Sequence, residues 1–235
     1  FIDNELLIYK SKLPDDRIHL AEDRIFYYQD QVYSNSQETD LKIALAFQRE
    51  VINNIIPHVQ PDLIHCNDWM TGLIPAAAKR LGIPCLFTCH NIHSERLTMA
   101  QIEDVGIDTA DFWQNLYFTD RPDSYESARE HTPVDLLATG IFASAHVNSV
   151  SQKFLQEVVD GHHKFVPDSI RNELANKVYA GCASGILNAP DETLKPHTDP
   201  YLKNHFSPTT FVKGKAVNKA LLQEKCGLDS NPDAP

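Results

Sequence analysis

From Leu41 onward the apolar residues keep a rhythm that residues 5–38 lack. That earlier stretch is polar and aromatic without a clean period, and it reads as irregular chain with short helices. Leu41, Ala44, Leu45, Val51, Ile52, Ile55, Ile56 and Val59 then recur at helical spacing. A helix is expected there, capped by Thr39 or Asp40 and broken by Pro61. "DLIHCN" (62–67) reads as a short buried strand, and "DWMTGLIPAAAKRLG" (68–82) as a helix that Asp68 caps and Gly82 stops. "IPCLFTCHN" (83–91) reads as a second strand, and residues 94–132 as helical pieces and loop. Pro133 is placed to open a helix over "PVDLLATGIFASA", because its missing N–H costs nothing in a first turn. "HVNSVS" (146–151) is a third strand, and Ser151 caps the helix "SQKFLQEVV". Residues 166–177 read as helix, "SGILNAPD" (184–191) as a fourth strand ending in a turn, and "VKGKAVNKALLQEKCGL" (212–228) as a helix closed by Gly227.

Strands alternating with helices of this length imply βαβ units. The expected fold is α/β, a Rossmann-like parallel sheet with helices on both faces. In such sheets the binding crevice lies beyond the carboxyl ends of the strands. His65, Asn67 and Asp68 stand at the end of the first expected strand, and His90 and Asn91 at the second. Ser149 and Ser151 stand at the third, Asn188 and Asp191 at the last. Polar side chains at every strand end read as one site. Imidazole, amide and hydroxyl groups there suit a polyhydroxylated ligand, since each gives or takes single hydrogen bonds.

Composition narrows the alternatives. The net charge is −11, and no Lys/Arg-rich run interrupts the chain, which argues against nucleic acid as a partner. No apolar stretch is long enough to cross a bilayer, and no signal-peptide pattern is present, so no membrane partner is expected. Five irregularly spaced cysteines fit a reducing compartment, and a cytoplasmic location is expected. Neither G-x-G-x-x-G nor a P-loop occurs. Cys85, Cys89, His90 and His93 lack a second ligand pair for a metal, and burial is the simpler reading of the cysteines. Cys89 and His90 are a poor nucleophile pair, because adjacent strand residues face opposite ways. The small-residue spacing of Gly181 and Gly185 and the stripe Leu116-Tyr117-Phe118 read as packing.

"PDLIHCNDWMTGL", "LFTCHNI", "TGIFASAHVNSVSQKFLQEV", "GILNAPD" and "KGKAVNKALLQEKCGL" occur in that order. Together they resemble the N-terminal domain of the bacterial glycogen synthase and plant starch synthase family, over about residues 60–228. The resemblance implies the N-terminal half of a two-domain GT-B retaining glycosyltransferase. On that reading, residues 1–190 form the Rossmann-like acceptor-side domain. Residues 191–235 are a hinge segment and a helix leading to a nucleotide-sugar-binding domain. The expected reaction moves glucose from ADP-glucose or UDP-glucose to an α-1,4-glucan. It needs no cofactor and no metal, because positive side chains and helix dipoles offset the diphosphate.

By the resemblance, His90 and Asp68 are the candidate catalytic residues, His90 contacting the donor glucose near its 6-hydroxyl and Asp68 orienting the site. His65, Asn67, Asn91, Ser149, Ser151 and Asn188 are the candidate substrate-binding residues. His93 lies in the loop beyond and is expected near solvent without a role in the reaction. The chain leaves the family pattern in three places: Asn67 stands for a histidine, Ile92–Arg96 for an aromatic-Gln-Gly stretch, and Ala189-Pro190 for a hinge Gly and its neighbour. These departures keep a non-catalytic glucan-binding relative as the alternative, and an unrelated α/β domain with the same rim as a third reading. Phe1-Ile2-Asp3-Asn4 resembles the end of a family strand, so a piece of a longer protein is expected.

Overall fold

The computed structural model describes residues 18–27, 31, 34 and 36–234. The strand end expected at Phe1–Asn4 lies outside them, as does most of the stretch 5–38. The described chain divides into two compact units between Leu187 and Asn188.

Among the described residues, the first unit is built on six strands. They are β1 (Ile64–Asn67), β2 (Cys85–Cys89), β3 (Arg96–Leu97), β4 (Val134–Asp135), β5 (His146–Ser149) and β6 (Ala183–Gly185). Four of them form a parallel sheet in the order β1-β2-β5-β6, with Asn67 opposite Thr88, Cys89 opposite Ser149, and Ser149 opposite Gly185. Parallel neighbours need crossovers, and helices supply them. The helices of this unit are α1 (Gln37–Glu50), α2 (Leu73–Arg80), α3 (Met99–Glu103), α4 (Tyr125–Arg129), α5 (Leu136–Ala143), α6 (Gln152–Val159) and α7 (Asp168–Tyr179). The fold is α/β, as the alternating pattern implies. Its core joins Phe87 and Val147 of the sheet to Leu73, Leu136, Leu137, Ile141, Leu155, Ile170 and Leu174 of the helices, all nearly inaccessible. Gly140 lets α5 approach β2 closely: a Cβ there would stand 2.3 Å from the Phe87 ring. The three strand cysteines, Cys66, Cys85 and Cys89, are buried.

Several local expectations are corrected. The cap of α1 is Ser36, whose hydroxyl accepts from Thr39 N–H. The first turn, with Glu38 and Asp40, is polar, so apolar periodicity begins after the helix does. The helix runs through a π turn at Val51–Ile55 into a last turn at Ile56–Val59 that holds Pro57. Proline has no N–H for the ordinary ladder, and the wider turn accommodates that loss. Asp135, not Pro133, opens α5: its carboxylate accepts from Ala138 N–H at 2.9 Å. The loop reading of 94–132 missed that β3 pairs antiparallel with β4. The fourth sheet strand stops at Gly185, and Ile186 N–H reaches Ser149 O at 2.8 Å as its last rung. Asn188 therefore does not end a strand; Pro190 brings no N–H to extend the ladder.

In the second unit a short turn at Glu192–Leu194 precedes helix α8 (Phe211–Lys225). Asn218 on α8 exchanges two hydrogen bonds with the Asn204 backbone, at 3.0 and 2.7 Å. Gly227 follows α8 at φ 65°, the left-handed conformation its cap position requires.

Candidate functional site

The C-terminal ends of β1 and β2 lie side by side, and a carboxylate ties them together. Asp68 follows β1 with φ 56° and ψ −179°, a region that glycine alone occupies comfortably. Its side chain caps no helix, contrary to the reading of 68–82. Instead Asp68 Oδ1 accepts the backbone N–H of His90 at 2.7 Å and lies 3.4 Å from that of Asn91. Thr71 holds the turn from below: its hydroxyl accepts from Asn67 N–H at 2.8 Å and reaches the Asn67 carbonyl at 2.8 Å. A strained backbone aims the carboxylate, and the carboxylate fixes the next turn.

The His90 ring is oriented as well. His90 Nε2 lies 3.1 Å from Asn67 Oδ1. An amide oxygen can only accept, so Nε2 carries the proton and Nδ1 is left to accept from a hydroxyl. Asn67, which stands where the resembled family has histidine, thereby selects the His90 tautomer. His90, Asn67 and Asn91 are exposed at this rim, and Asp68 is half-buried.

His65 lies two residues deeper on the same face of β1 and serves the sheet. Thr88 donates its one hydroxyl proton to Asn148 Oδ1, so it must accept from His65 Nε2–H at 2.7 Å. This row crosses three strands, and neighbouring bonds in it polarise one another. Ser149 is buried at the end of β5, with its hydroxyl 3.4 Å from Ser151 N. The Ser151 hydroxyl caps α6 by accepting from Phe154 N–H at 3.1 Å, as the sequence implies. The structure therefore brings Asn67, Asp68, His90 and Asn91 into one bonded cluster. It seats His65, Ser149 and Ser151 in supporting positions, and Asn188 belongs to the second unit.

Cys89 is unsuited to nucleophilic chemistry. It is buried, and burial followed by the nearby Asp68 charge pushes its thiol far above the ordinary range. Among the described residues, no group of three or more His, Cys, Asp or Glu side chains is arranged to hold a metal.

Two features escaped the sequence reading. His93 is tethered as well as exposed: its ring meets the Trp69 ring edge-on at 5.7 Å, and its Nε2 lies 3.0 Å from Glu95 Oε1. Asp135 is buried and fully occupied by hydrogen bonds. It accepts from Ser94 Oγ at 2.6 Å and from Arg96 Nε at 3.3 Å, besides capping α5. Ser94 Oγ in turn accepts from Leu137 N–H at 3.0 Å. An aspartate directly before an apolar helical run was the available signal.

A family model described as starch synthase catalytic domain matches residues 4–170, well over half of the chain. The chain belongs to the starch synthase catalytic domain family. Glycogen synthase of Rhodopirellula baltica is 32% identical over 184 residues, covering 74% of this chain and 33% of that protein. Glycogen synthase of Geotalea daltonii is 25% identical over 243 residues, covering 97% of this chain and 47% of that protein. Among solved structures, the catalytic domain of starch synthase IV from Arabidopsis thaliana bound to ADP and acarbose matches with a TM-score of 0.62 and 26% identity. It covers 87% of this chain and 41% of that one. The chain thus spans about a third to a half of the length of these family members.

Proposed function

We propose that this chain is the acceptor-side part of a retaining hexosyltransferase of glycogen/starch synthase type. The whole protein would transfer glucose from ADP-glucose or UDP-glucose to the non-reducing end of an α-1,4-glucan. The observation that carries the reading is the Asp68–His90 tie. A half-buried carboxylate on a strained turn holds a strand-end histidine by its backbone and leaves its ring acceptor at an exposed rim. Such rigidity is what a positioning group needs, because transition-state contacts are effective only when preorganised. His90 is the hydroxyl contact for the transferred glucose, Asp68 its positioning residue, and Asn67 and Asn91 the flanking polar groups. His65, Ser149 and Ser151 complete the proposed substrate-binding set by bracing the strand ends. The ADP and acarbose bound to the Arabidopsis relative are a nucleotide and an oligosaccharide, the two chemistries this reaction joins.

Residues 1–190 are proposed as the Rossmann-like domain, and 191–235 as the hinge segment and helix that lead to the nucleotide-sugar-binding part. No described helix is long and apolar enough to cross a membrane, and a cytoplasmic site of action is part of the proposal. The test is incorporation of labelled glucose from each nucleotide sugar into glycogen by the full-length protein. Transfer with retained anomeric configuration supports the reading. Glucan binding without transfer from either donor would replace it with the non-catalytic alternative.

A further inference from the structure

The segment Ile92–Arg96, where the sequence leaves the resembled family's pattern, borders a cavity. Ile92–Arg96, Asp135, Phe165 and Pro167 line a largely open cavity of about 490 Å³, within the roughly 300–1,000 Å³ range of small-molecule sites. The segment continues directly from the His90–Asn91 turn, since Asn91 Oδ1 accepts His93 N–H at 2.9 Å. We propose that this cavity is a subsite for one pyranose unit of the glucan acceptor, with the ring face on Phe165 and hydroxyls on Arg96 and Glu95. The inference rests on the glucosyl-transfer reading and adds to it the residues that choose the acceptor.

Three observations converge. Phe165 is 69% exposed, and its ring is braced by His163 at 5.4 Å, which is itself packed on Phe154 at 5.0 Å and bonded to Glu157 at 3.0 Å. One exposed phenylalanine is ordinary; one held by a tilted ring pair, His163 and Phe154, at the mouth of a cavity is a platform. The negative face of an aromatic ring attracts the polarised C–H face of a sugar.

Arg96 comes next. Its Nε is fixed by the buried Asp135 carboxylate, while neither Nη has a protein partner among the described residues. The guanidinium is therefore oriented, and its outer donors remain available. Glu95 is the third. Its side chain is only 11% exposed, and Oε1 accepts from His93 Nε2 at 3.0 Å and Gln37 Nε2 at 2.5 Å. Oε2 has no donor among the described residues. A nearly buried carboxylate oxygen beside an open cavity calls for an O–H or N–H from the occupant.

Charge selects among occupants. One arginine faces two carboxylates, Glu95 and Asp135, so an anion gains no net attraction here. A neutral polyol satisfies both signs, because each hydroxyl gives and takes. The cavity fits a sugar ring better than a phosphate.

The experiment uses the full-length protein that contains this chain, with maltotriose as the probe, measured by calorimetric binding and as acceptor in steady-state transfer. Phe165→Ala and Arg96→Met should each raise the maltotriose Kd and acceptor KM about tenfold, with the nucleotide-sugar KM unchanged. Phe165→Trp should retain binding, and Arg96→Lys, which keeps the charge but not the fork, should fall between. Phe165 is exposed, so its variants should fold, and circular dichroism melting checks each. Maltotriose binding that these variants leave unaltered overturns the subsite, even if transfer is intact. Weakened binding in a protein that transfers no glucose keeps the subsite and removes the transfer reading instead.

Discussion

At the scale of single residues, the two histidines of "CHNIH" separate by what holds them. His90 is fixed through its backbone by Asp68 and through its ring by Asn67, and its free nitrogen meets the rim. His93 spends its ring on Trp69 and Glu95. For the proposed transfer by the full-length protein, His90→Ala is expected to lower kcat/KM about a hundredfold, or about 3 kcal/mol, the usual cost of one well-placed polar contact in a transition state. His93→Ala should change it by less than about threefold, because Glu95 keeps its bond from Gln37. Steady-state kinetics decide; equal and small effects would leave His90 an exposed strand-end residue without a part in the reaction. Asp68 permits a sharper test, since its strain and its hydrogen bonds can be separated. Asp68→Gly removes a backbone cost of about 1–3 kcal/mol, whereas Asp68→Ala keeps it, and both lose the carboxylate. The glycine variant should therefore melt higher than the alanine variant, while kcat/KM falls in both. Equal melting temperatures would refute the strain, and unimpaired activity would refute the positioning role.

At the scale of elements, the sheet was legible because its strands are short apolar runs bounded by Pro, Gly and polar ends. Their succession along the chain, and the polar residues that follow the first three, could be read without coordinates; their order within the sheet could not. What could not be read depends on register. The row His65–Thr88–Asn148 joins three strands and exists only because Thr88 lies opposite Asn148 on one side and opposite Asn67, two residues beyond His65, on the other. The β3–β4 pair is two residues long, too short for a period, and Pro133 masked the Asp135 cap beside it. The loop 104–124 hid another connection, in which Glu103 at the end of α3 collects donors from Thr109, from Tyr125 Oη at 2.5 Å and from Arg129 Nε at 2.6 Å. Burial alone would raise its pKa, but these hydrogen bonds and the Arg129 charge outweigh burial and hold the carboxyl below its ordinary 4.5. A depressed folded pKa means the stabilisation is complete above pH 4.5 and is lost as pH falls through the folded value. Thermal melts should therefore decline less steeply below pH 4.5 for Glu103→Gln than for the native chain, and the variant should be less stable at pH 7 by about 1–3 kcal/mol. Parallel pH profiles for the two proteins would show that Glu103 is not the group responsible.

At the scale of the whole molecule, charge and length point the same way. The chain carries 32 acidic against 21 basic residues, a field that opposes the approach of a nucleotide diphosphate. Around the rim, the charge of Arg96 is offset by Asp135, and the Asp68 carboxylate adds negative charge. Offsetting a diphosphate requires cations held close to it in a dry site, and in the proposed reaction these come from the nucleotide-sugar-binding part. Transfer also requires donor and acceptor to be held together at near-attack distance, an effect worth about 7–11 kcal/mol when both are oriented. On the proposed assignment the rim orients one hydroxyl of the sugar, which alone does not provide it. This 235-residue chain by itself is therefore expected to show no measurable glucosyl transfer, while it still binds maltotriose through the cavity beside His90. Both properties are read in one assay series, with labelled ADP-glucose and UDP-glucose as donors and calorimetry for the glucan. Incorporation of label by the isolated chain would mean that the residues between Asp68 and Phe165 suffice to hold both substrates, and the two-part account of the reaction would have to be abandoned.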